Sequence, residues 1–215
     1  MKAQAFYTTI WAFIFTAIPF IYLAFIWNSL PTKLALDISQ SNRMGSRQDM
    51  LVQLIMISIV GLFIYFGMAF SKFINPQQST PQAKNLSAKF GLIYLAFFSA
   101  IAIYTVHKTI HYELHNFFYI ILGLFLTATG NWTHSIPYKH HFGLRTPWIR
   151  ENEYNWRKTH QLSSKLQFGG GLVIVASALF LSDDWMFSVF YSVCFIGILV
   201  PFIYSYWLST NVSDA

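Results

Sequence analysis

Three regularly spaced histidines are the residues of this sequence best suited to chemistry. His107, His111 and His115 recur every fourth residue, so a helix through them would place successive pairs on one face, at the spacing of H-x3-H metal sites. The first and the last would lie about 12 Å apart, because each helical residue rises about 1.5 Å along the axis. One metal ion could not bind all three. His107 and His111 are the candidate pair, and the alternative is a partly solvated helix end at a membrane interface.

A polar, tryptophan-rich and cationic loop from Gly130 to His160 also has chemical potential. Thr146 precedes Pro147 and is therefore pushed toward extended backbone, while Pro147 suits the first residue of a short helical turn. Arg145 and Trp148 would then flank a fixed bend. A guanidinium beside an indole can bind a phosphate, a carboxylate or an aromatic partner through bidentate hydrogen bonds and stacking. Ordinary membrane anchors use the same residue types, so both interpretations stand.

The end of this loop has the pattern of a helix. Asn152 can cap it, Glu153 suits its first turn, and Trp156, His160 and Ser164 recur every fourth residue on one face. A polar stripe beside that face consists of Arg157, Gln161 and Lys165. The pattern predicts an interfacial amphipathic helix with Trp156 at the depth of lipid headgroups and its cations toward lipid phosphates.

The elements that must position these residues are apolar. Hydrophobic residues make up 55% of the 215 and charged residues only 10%, a balance that the surface of a soluble domain could hardly accommodate. The composition predicts an all-α, polytopic integral membrane protein, one membrane domain over 1–215, with a cytoplasmic loop over 130–165 that contains a short interfacial helix. The six predicted transmembrane helices, each near the roughly 20 residues that a bilayer requires, are 8–30, 50–71, 90–106, 116–133, 166–182 and 185–208.

Basic residues are distributed unevenly around these segments. Lys2 precedes an apolar run that is too long for the core of a signal peptide, so the first helix is expected to stay as an anchor with a cytoplasmic N-terminus. Ten of the 14 basic residues then lie on the cytoplasmic side: Lys2, Lys72, Lys84, Lys89, Lys139, Arg145, Arg150, Arg157, Lys158 and Lys165. Both termini, the loop from Ser71 to Lys89 and the loop over 130–165, which we name the signature loop, are therefore predicted in the cytoplasm. Because the charge is spread over three cytoplasmic segments, it fits orientation and anionic lipid, and direct nucleic-acid binding is not predicted.

Several function classes are disfavoured by what the apolar segments lack. None of the six contains Asp, Glu, Lys or Arg, the usual mark of ion pathways and proton relays, so a pump or ion-coupled transporter is not predicted. The single cysteine, Cys194, can form neither an intramolecular disulfide nor a cysteine metal site. In this topology His134, His140 and His141 lie on the opposite membrane face from His107 and His111, so no shared active site is expected.

Three local patterns predict how the helices connect. The S-D-D turn at 182–184 forces the fifth and sixth helices into an antiparallel hairpin. Gly169, Gly170 and Gly171 allow either a close approach to another helix or a hinge between the fifth span and the loop helix before it. The stretch N-P-Q-Q-S-T-P-Q at 75–82 predicts a flexible or extended connector.

One ordered set of residues resembles the C-terminal signature of the SdpI family of bacterial membrane proteins. It consists of Gly130, Asn131, Gly143, Arg145, Thr146, Pro147, Trp148, Trp156, Arg157, Lys158, Thr159 and His160. A weaker resemblance, at 30–37 and 42–47, is to the family's N-terminal domain of unknown function. The chain departs from the family pattern in several places: Asp37 stands in place of His, Lys139 in place of Asn, and Ser164 in place of Gly. In the N-terminal loop the second Pro is missing and the middle is shortened.

The resemblance implies a non-enzymatic protein of the bacterial cytoplasmic membrane, without a cofactor, that confers immunity to a secreted antimicrobial peptide. It also implies that such proteins can signal the toxin by holding a small transcriptional repressor at the membrane. The loop Pro31 to Asp49 would meet the toxin outside, and the basic loop would face the repressor inside. The binding residues implied are Asn131, Arg145, Thr146, Trp148, Trp156, Arg157, Thr159 and His160. The competing classes are a lipid-headgroup or metal-dependent membrane enzyme at His107 and His111, and third a structural membrane anchor.

Overall fold

The computed structural model describes residues 2–31, 34–35, 44–74, 80–109, 116–140 and 143–211. Within these ranges the chain is almost entirely helical, which confirms the all-α fold class. The helices are α1 (Lys2–Ile26), α2 (Arg47–Ile74), α3 (Pro81–Lys108), α4 (Phe117–Thr133), α5 (Pro147–Glu151), α6 (Glu153–Ala178) and α7 (Asp183–Asn211). One 3-10 turn, Trp27–Ser29, follows α1. The exception to helix is an antiparallel pair of short strands, β1 (Leu34–Ala35) and β2 (Met44–Gly45), in which Leu34 pairs with Gly45.

Among the described residues, 4 segments are long and apolar enough to cross a membrane: Tyr7–Ser29, Arg47–Phe70, Ala83–Lys108 and Asp183–Asn211. Their outward faces carry large apolar side chains, with Phe25 88% exposed and Phe63 79% exposed. Such surfaces suit lipid, because a soluble protein seldom leaves extended apolar faces in water. Helix α4 is shorter, and the first half of α6 is polar. Six transmembrane helices therefore stay a prediction, which these four segments support in part.

Helix α3 begins earlier than the sequence predicts. It starts at Pro81 rather than Phe90, and the Ala83 backbone N–H donates to Thr80 Oγ1 at 3.1 Å, a cap for the first turn. Proline suits this position because it has no N–H to leave unpaired. The prediction of a flexible connector is thus wrong at Pro81 and Gln82, and residues 75–79 lie outside the described part of the chain.

Helix α6 merges two predicted elements. The amphipathic loop helix and the span expected from Leu166 form one continuous helix from Glu153 to Ala178, so the helix predicted to lead into that span is present without a break. Its position at the membrane interface stays a prediction. The loop also contains the short helix α5. Beyond α6, the predicted hairpin is confirmed: Ser182 O accepts from the backbone N–H groups of Trp185 and Met186 and opens α7.

The chain divides into two compact units, which comprise Met1–Ala69 with Ala88–Ile121, and Phe70–Ser87 with Leu122–Ala215. In the first unit, α1, β1, α2 and α3 share an apolar core of Leu23, Leu30, Leu34, Met50, Leu54, Ala102 and Val106. Arg47 Nη2 donates to Leu30 O and ties the start of α2 to the chain after α1. The second unit holds the signature loop. One membrane domain over 1–215 stays a prediction.

Candidate functional site

Helices α4 and α6 come into backbone contact because glycines face each other where they meet. A Cβ on Gly171 would lie 2.5 Å from Gly123 O and 2.6 Å from the Thr127 backbone nitrogen. Further along, a Cβ on Gly130 would lie 2.5 Å from the Phe168 backbone nitrogen. Real Cβ atoms do not approach backbone so closely, so only glycine permits this separation.

The three consecutive glycines of α6 have different surroundings. A Cβ on Gly170 would lie 2.5 Å from Val193 Cγ1 on α7, whereas nothing lies within 4 Å of a Cβ on Gly169. The helix continues unbroken through all three to Ala178. The close-approach interpretation is therefore confirmed for Gly170 and Gly171, and the described helix has no hinge at this point.

The inward face of α6 carries a ladder of hydrogen-bonded polar side chains in its first half. Thr159 Oγ1 donates to Asn155 Oδ1 at 3.0 Å. Gln167 Nε2 donates to Ser163 Oγ at 3.0 Å, and Gln167 Oε1 accepts from Thr133 Oγ1 of α4 at 3.0 Å. Because an unpaired polar group is expensive in apolar surroundings, these bonds fix the rotation of α6 about its axis. They also explain why this helix is less apolar than the four candidate spans.

His160 lies within this polar face and is 1% exposed. Its Nδ1 lies 2.8 Å from Trp156 O, and its Nε2 lies 3.2 Å from the Leu144 backbone nitrogen. A carbonyl only accepts and a backbone N–H only donates, so Nδ1 carries the proton and Nε2 does not. Burial lowers the pKa of His160 from its ordinary 6.5, and the hydrogen bond to Trp156 opposes this in part. The imidazole is therefore neutral at about pH 7.

The segment before α5 is shaped to meet this imidazole. Gly143 has a φ of 110°, which L side chains rarely adopt, and a Cβ there would collide with Nε2 of His160. Thr146 is extended, with φ −79° and ψ 158°, and Pro147 opens α5. Both features of the predicted bend are confirmed, and they bring the Leu144 N–H to the ring.

Trp156 lies inside the protein and not at its surface. It is 0% exposed, and its Nε1 donates to Ile136 O at 3.0 Å. Its indole also stacks on His160, with ring centroids 4.4 Å apart. Trp156 is therefore not a lipid-facing anchor, because the indole N–H has a backbone partner within the fold and the ring is packed against protein. Its depth relative to the lipid headgroups stays a prediction.

Helices α5 and α6 are both tied to Ser205 of α7. Trp148 Nε1 donates to Ser205 Oγ at 3.0 Å, and Asn155 Nδ2 donates to Ser205 O at 2.8 Å. The Trp148 ring packs edge-on against Phe202 and Tyr206. Sequence reasoning missed Asn155 and Ser205. Only the four-residue spacing from Asn155 to Thr159 offered a signal, since it places two polar side chains on the same helix face.

The outer face of α6 carries charge. The predicted cap is confirmed, since Asn152 Oδ1 accepts from the Tyr154 backbone N–H at 2.8 Å. Arg157 pairs with Glu153, with Nη2 2.7 Å from Oε1, and both side chains are largely exposed. The Lys158 ammonium lies 5.5 Å from the centre of the Tyr154 ring. Such exposed pairs contribute roughly 0.2–1 kcal/mol each, so they orient the cations more than they stabilise the fold.

The residues of the signature thus fall into two groups. Eight of them shape the frame just described: Gly130, Gly143, Thr146, Pro147, Trp148, Trp156, Thr159 and His160. The other four, Asn131, Arg145, Arg157 and Lys158, have exposed side chains. The first group therefore holds the local structure together, and the side chains of the second group are accessible at the surface.

The candidate metal ligand His107 lies in the first unit. Its Nδ1 lies 2.7 Å from the Tyr22 hydroxyl. His111 and His115 lie outside the described residues, so the metal pair stays a prediction. Within the ranges that the structure describes, no group of three or more His, Cys, Asp or Glu is placed to hold a metal ion.

Long apolar helices with outward-facing aromatic rings define the class of this chain as a helical membrane protein. A model of the SdpI/YfhL protein family matches residues 135–205, which span most of the signature loop, α5, α6 and much of α7. The match covers about a third of the chain and confirms the predicted resemblance to the SdpI family over those residues. No curated protein and no solved structure matches it.

Proposed function

We propose that this protein is an SdpI-like immunity protein of a bacterial cytoplasmic membrane, multi-pass with both termini in the cytoplasm, that protects its cell from a secreted antimicrobial peptide. One observation carries the proposal. In the signature, hydrogen-bonded and closely packed residues form a frame that supports a few exposed polar and cationic side chains. A membrane anchor needs the cations but not a frame that fixes the backbone on both sides of them.

In this proposal the peptide toxin is met on the outer face, by the loop Pro31 to Asp49. The basic signature loop, on the cytoplasmic face, is required for protection through Arg145 and also binds a second partner, a small transcriptional repressor where one exists. Membrane lipids surround the helices. The protein performs no catalysis and needs no cofactor, as the resemblance to the SdpI family implies.

Arg145 is the residue whose chemistry fits a binding role best. It follows Leu144, whose N–H is held by His160, and it precedes the Thr146–Pro147 bend, so its backbone is constrained on both sides. Its side chain is exposed. A guanidinium held in this way can meet a carboxylate or a phosphate with two parallel hydrogen bonds, which lysine cannot do.

The test is survival of a sensitive bacterium that expresses the protein and is challenged with candidate peptide toxins. Wild type is compared with Arg145→Lys, Arg145→Ala and the matched control Arg150→Ala, since Arg150 is an exposed arginine of the same loop but not of the signature. Protein level in the membrane is measured in parallel. Because charge-assisted hydrogen bonds contribute about 1.5–3 kcal/mol, the tolerated toxin concentration should fall on the order of tenfold to a hundredfold in both Arg145 variants.

Normal abundance and survival in the Arg150→Ala control, with survival lost in both Arg145 variants, would support the proposal. Full survival with Arg145→Lys would reduce the motif to a lipid anchor, because lysine serves nearly as well as a surface charge. Absence of protection by the wild type against every peptide would refute immunity itself.

A further inference from the structure

We propose that His160 is a positioning residue: its neutral imidazole holds the segment from Gly143 to Arg145 through the Leu144 backbone amide, and the ring contacts no ligand itself. This inference rests on the proposed function only in taking Arg145 as the side chain that is presented. It also reassigns His160, which the family resemblance places among the binding residues.

The first argument is that both ring nitrogens of His160 have partners inside the protein. Nδ1 donates to Trp156 O at 2.8 Å, and Nε2 accepts from the Leu144 N–H at 3.2 Å. One ring face stacks on Trp156, and the side chain is 1% exposed. A ligand would have to break one of these bonds to reach the imidazole.

The second argument comes from Gly143, which lacks a side chain where one would strike the imidazole. A Cβ there would collide with Nε2 and lie 3.2 Å from Cδ2 of His160. The φ of 110° at Gly143 also turns the chain so that the next N–H reaches the ring. The backbone conformation of Gly143 and its lack of a side chain therefore both allow the hydrogen bond between Leu144 and the His160 ring.

The third argument concerns the rigidity of the support. His160 lies on α6, and its neighbours on that helix are bonded elsewhere: Asn155 Nδ2 donates to Ser205 O at 2.8 Å, and Ser164 Oγ donates to Gly130 O at 2.6 Å. The ring thus links a helix that is tied on two sides to a loop segment. Removal of the Nε2 acceptor should free the segment without unfolding the helix.

The test combines a spectroscopic and a mutational measurement on the full chain in detergent micelles. In wild type with 15N-labelled histidine, the His160 signals, assigned by their loss in His160→Gln, should show a protonated Nδ1 and an unprotonated Nε2 near neutral pH. In His160→Phe, which keeps a ring for Trp156 but has no acceptor, hydrogen exchange of the Leu144 amide should speed up by about tenfold, as expected for the loss of one buried hydrogen bond. His160→Gln, whose Oε1 can accept in place of Nε2, should restore much of that protection.

A protonated Nε2 in wild type would overturn the proposal without any variant. An unchanged rate of hydrogen exchange at the Leu144 amide in His160→Phe would also overturn it. The same holds if His160→Gln fails to restore protection of that amide while the α7 amides exchange at their normal rate. These readouts need no toxin, so they stand if immunity fails. Where immunity holds, survival should follow Leu144 protection, high in His160→Gln and low in His160→Phe at equal abundance.

Discussion

The two glycines at positions 169 and 171 of α6 allow a matched test of the helix contact that supports the signature loop. Alanine at either position raises intrinsic helix stability by roughly 0.5–1 kcal/mol, since glycine loses more backbone entropy on folding. At Gly169 the new Cβ meets nothing within 4 Å, so this gain should be realised. At Gly171 the Cβ would lie 2.5 Å from Gly123 O and 2.6 Å from the Thr127 backbone nitrogen, and backbone atoms cannot step aside.

Overpacking of this kind costs typically about 1–3 kcal/mol, occasionally more. The two variants should therefore differ by roughly 1–3 kcal/mol in the free energy of unfolding, because the intrinsic helix gain is common to both and only Gly171→Ala carries the overpacking cost. For a chain of this size, 1 kcal/mol shifts the melting temperature by about 2–4 °C. The difference in melting temperature should thus be on the order of 2–12 °C.

Thermal unfolding of the purified variants in detergent, followed by the fluorescence of a size-exclusion peak, measures this difference directly. Gly123→Ala provides a partner control, since its Cβ would lie 2.8 Å from Gly171 O on the same contact, and it should resemble Gly171→Ala. Equal melting temperatures for Gly169→Ala and Gly171→Ala would refute the close approach of α4 and α6. A stabilised Gly171→Ala would do so even more clearly.

Three further outcomes are expected. Gly143→Ala should lower the free energy of unfolding by about 2–4 kcal/mol, from its unfavourable φ and the lost Leu144 bond, in chemical denaturation of the micellar protein; a wild-type value would contradict the loop geometry. Burial lowers the pKa of His160 in the folded protein. The neutral imidazole therefore contributes its full stabilisation above the ordinary pKa of 6.5, and this contribution is lost as pH falls through the lowered pKa. The melting temperature should therefore fall between about pH 7 and about pH 5, and it should fall less in His160→Gln. An equal fall in the two proteins would refute the neutral state assigned to His160. Finally, cysteine at Ser135 should resist impermeant thiol reagents in intact cells while cysteine at Ser41 reacts, and the reverse labelling would overturn the predicted orientation.

The two departures from the family signature within the described loop have different structural consequences. Lys139 has a φ of 62°, in the left-handed region that asparagine tolerates better than lysine, so the Asn that the family resemblance implies here would have less backbone strain. Ser164 replaces a Gly, but its Oγ donates to Gly130 O at 2.6 Å, so the larger residue adds a bond across the α4–α6 contact. The sequence alone does not show that one substitution adds backbone strain and the other adds a hydrogen bond.

Local backbone rules decided what the sequence could predict about this protein. Apolar composition determined the helical membrane class, the Thr146–Pro147 pair determined the bend, and Asn152 determined the start of α6. The short S-D-D segment predicted the hairpin, although the connection runs over 179–182 and both aspartates lie in the first turn of α7. Each of these follows from residues adjacent in the chain, whose sterics and capping bonds act whatever the rest of the fold does.

Only the tertiary structure decided which faces turn inward. The helical spacing of Trp156 and His160 was evident in the sequence, but a lipid-facing and a protein-facing stripe use the same residue types, so it could not show that both rings are buried. The pairing of Gly143 with His160 joins positions 17 residues apart, and the Leu144 bond depends on it. Such contacts depend on how the helices pack against each other. In a membrane both the protein interior and the surrounding lipid are apolar, so hydrophobicity alone does not show which side of a helix faces the protein.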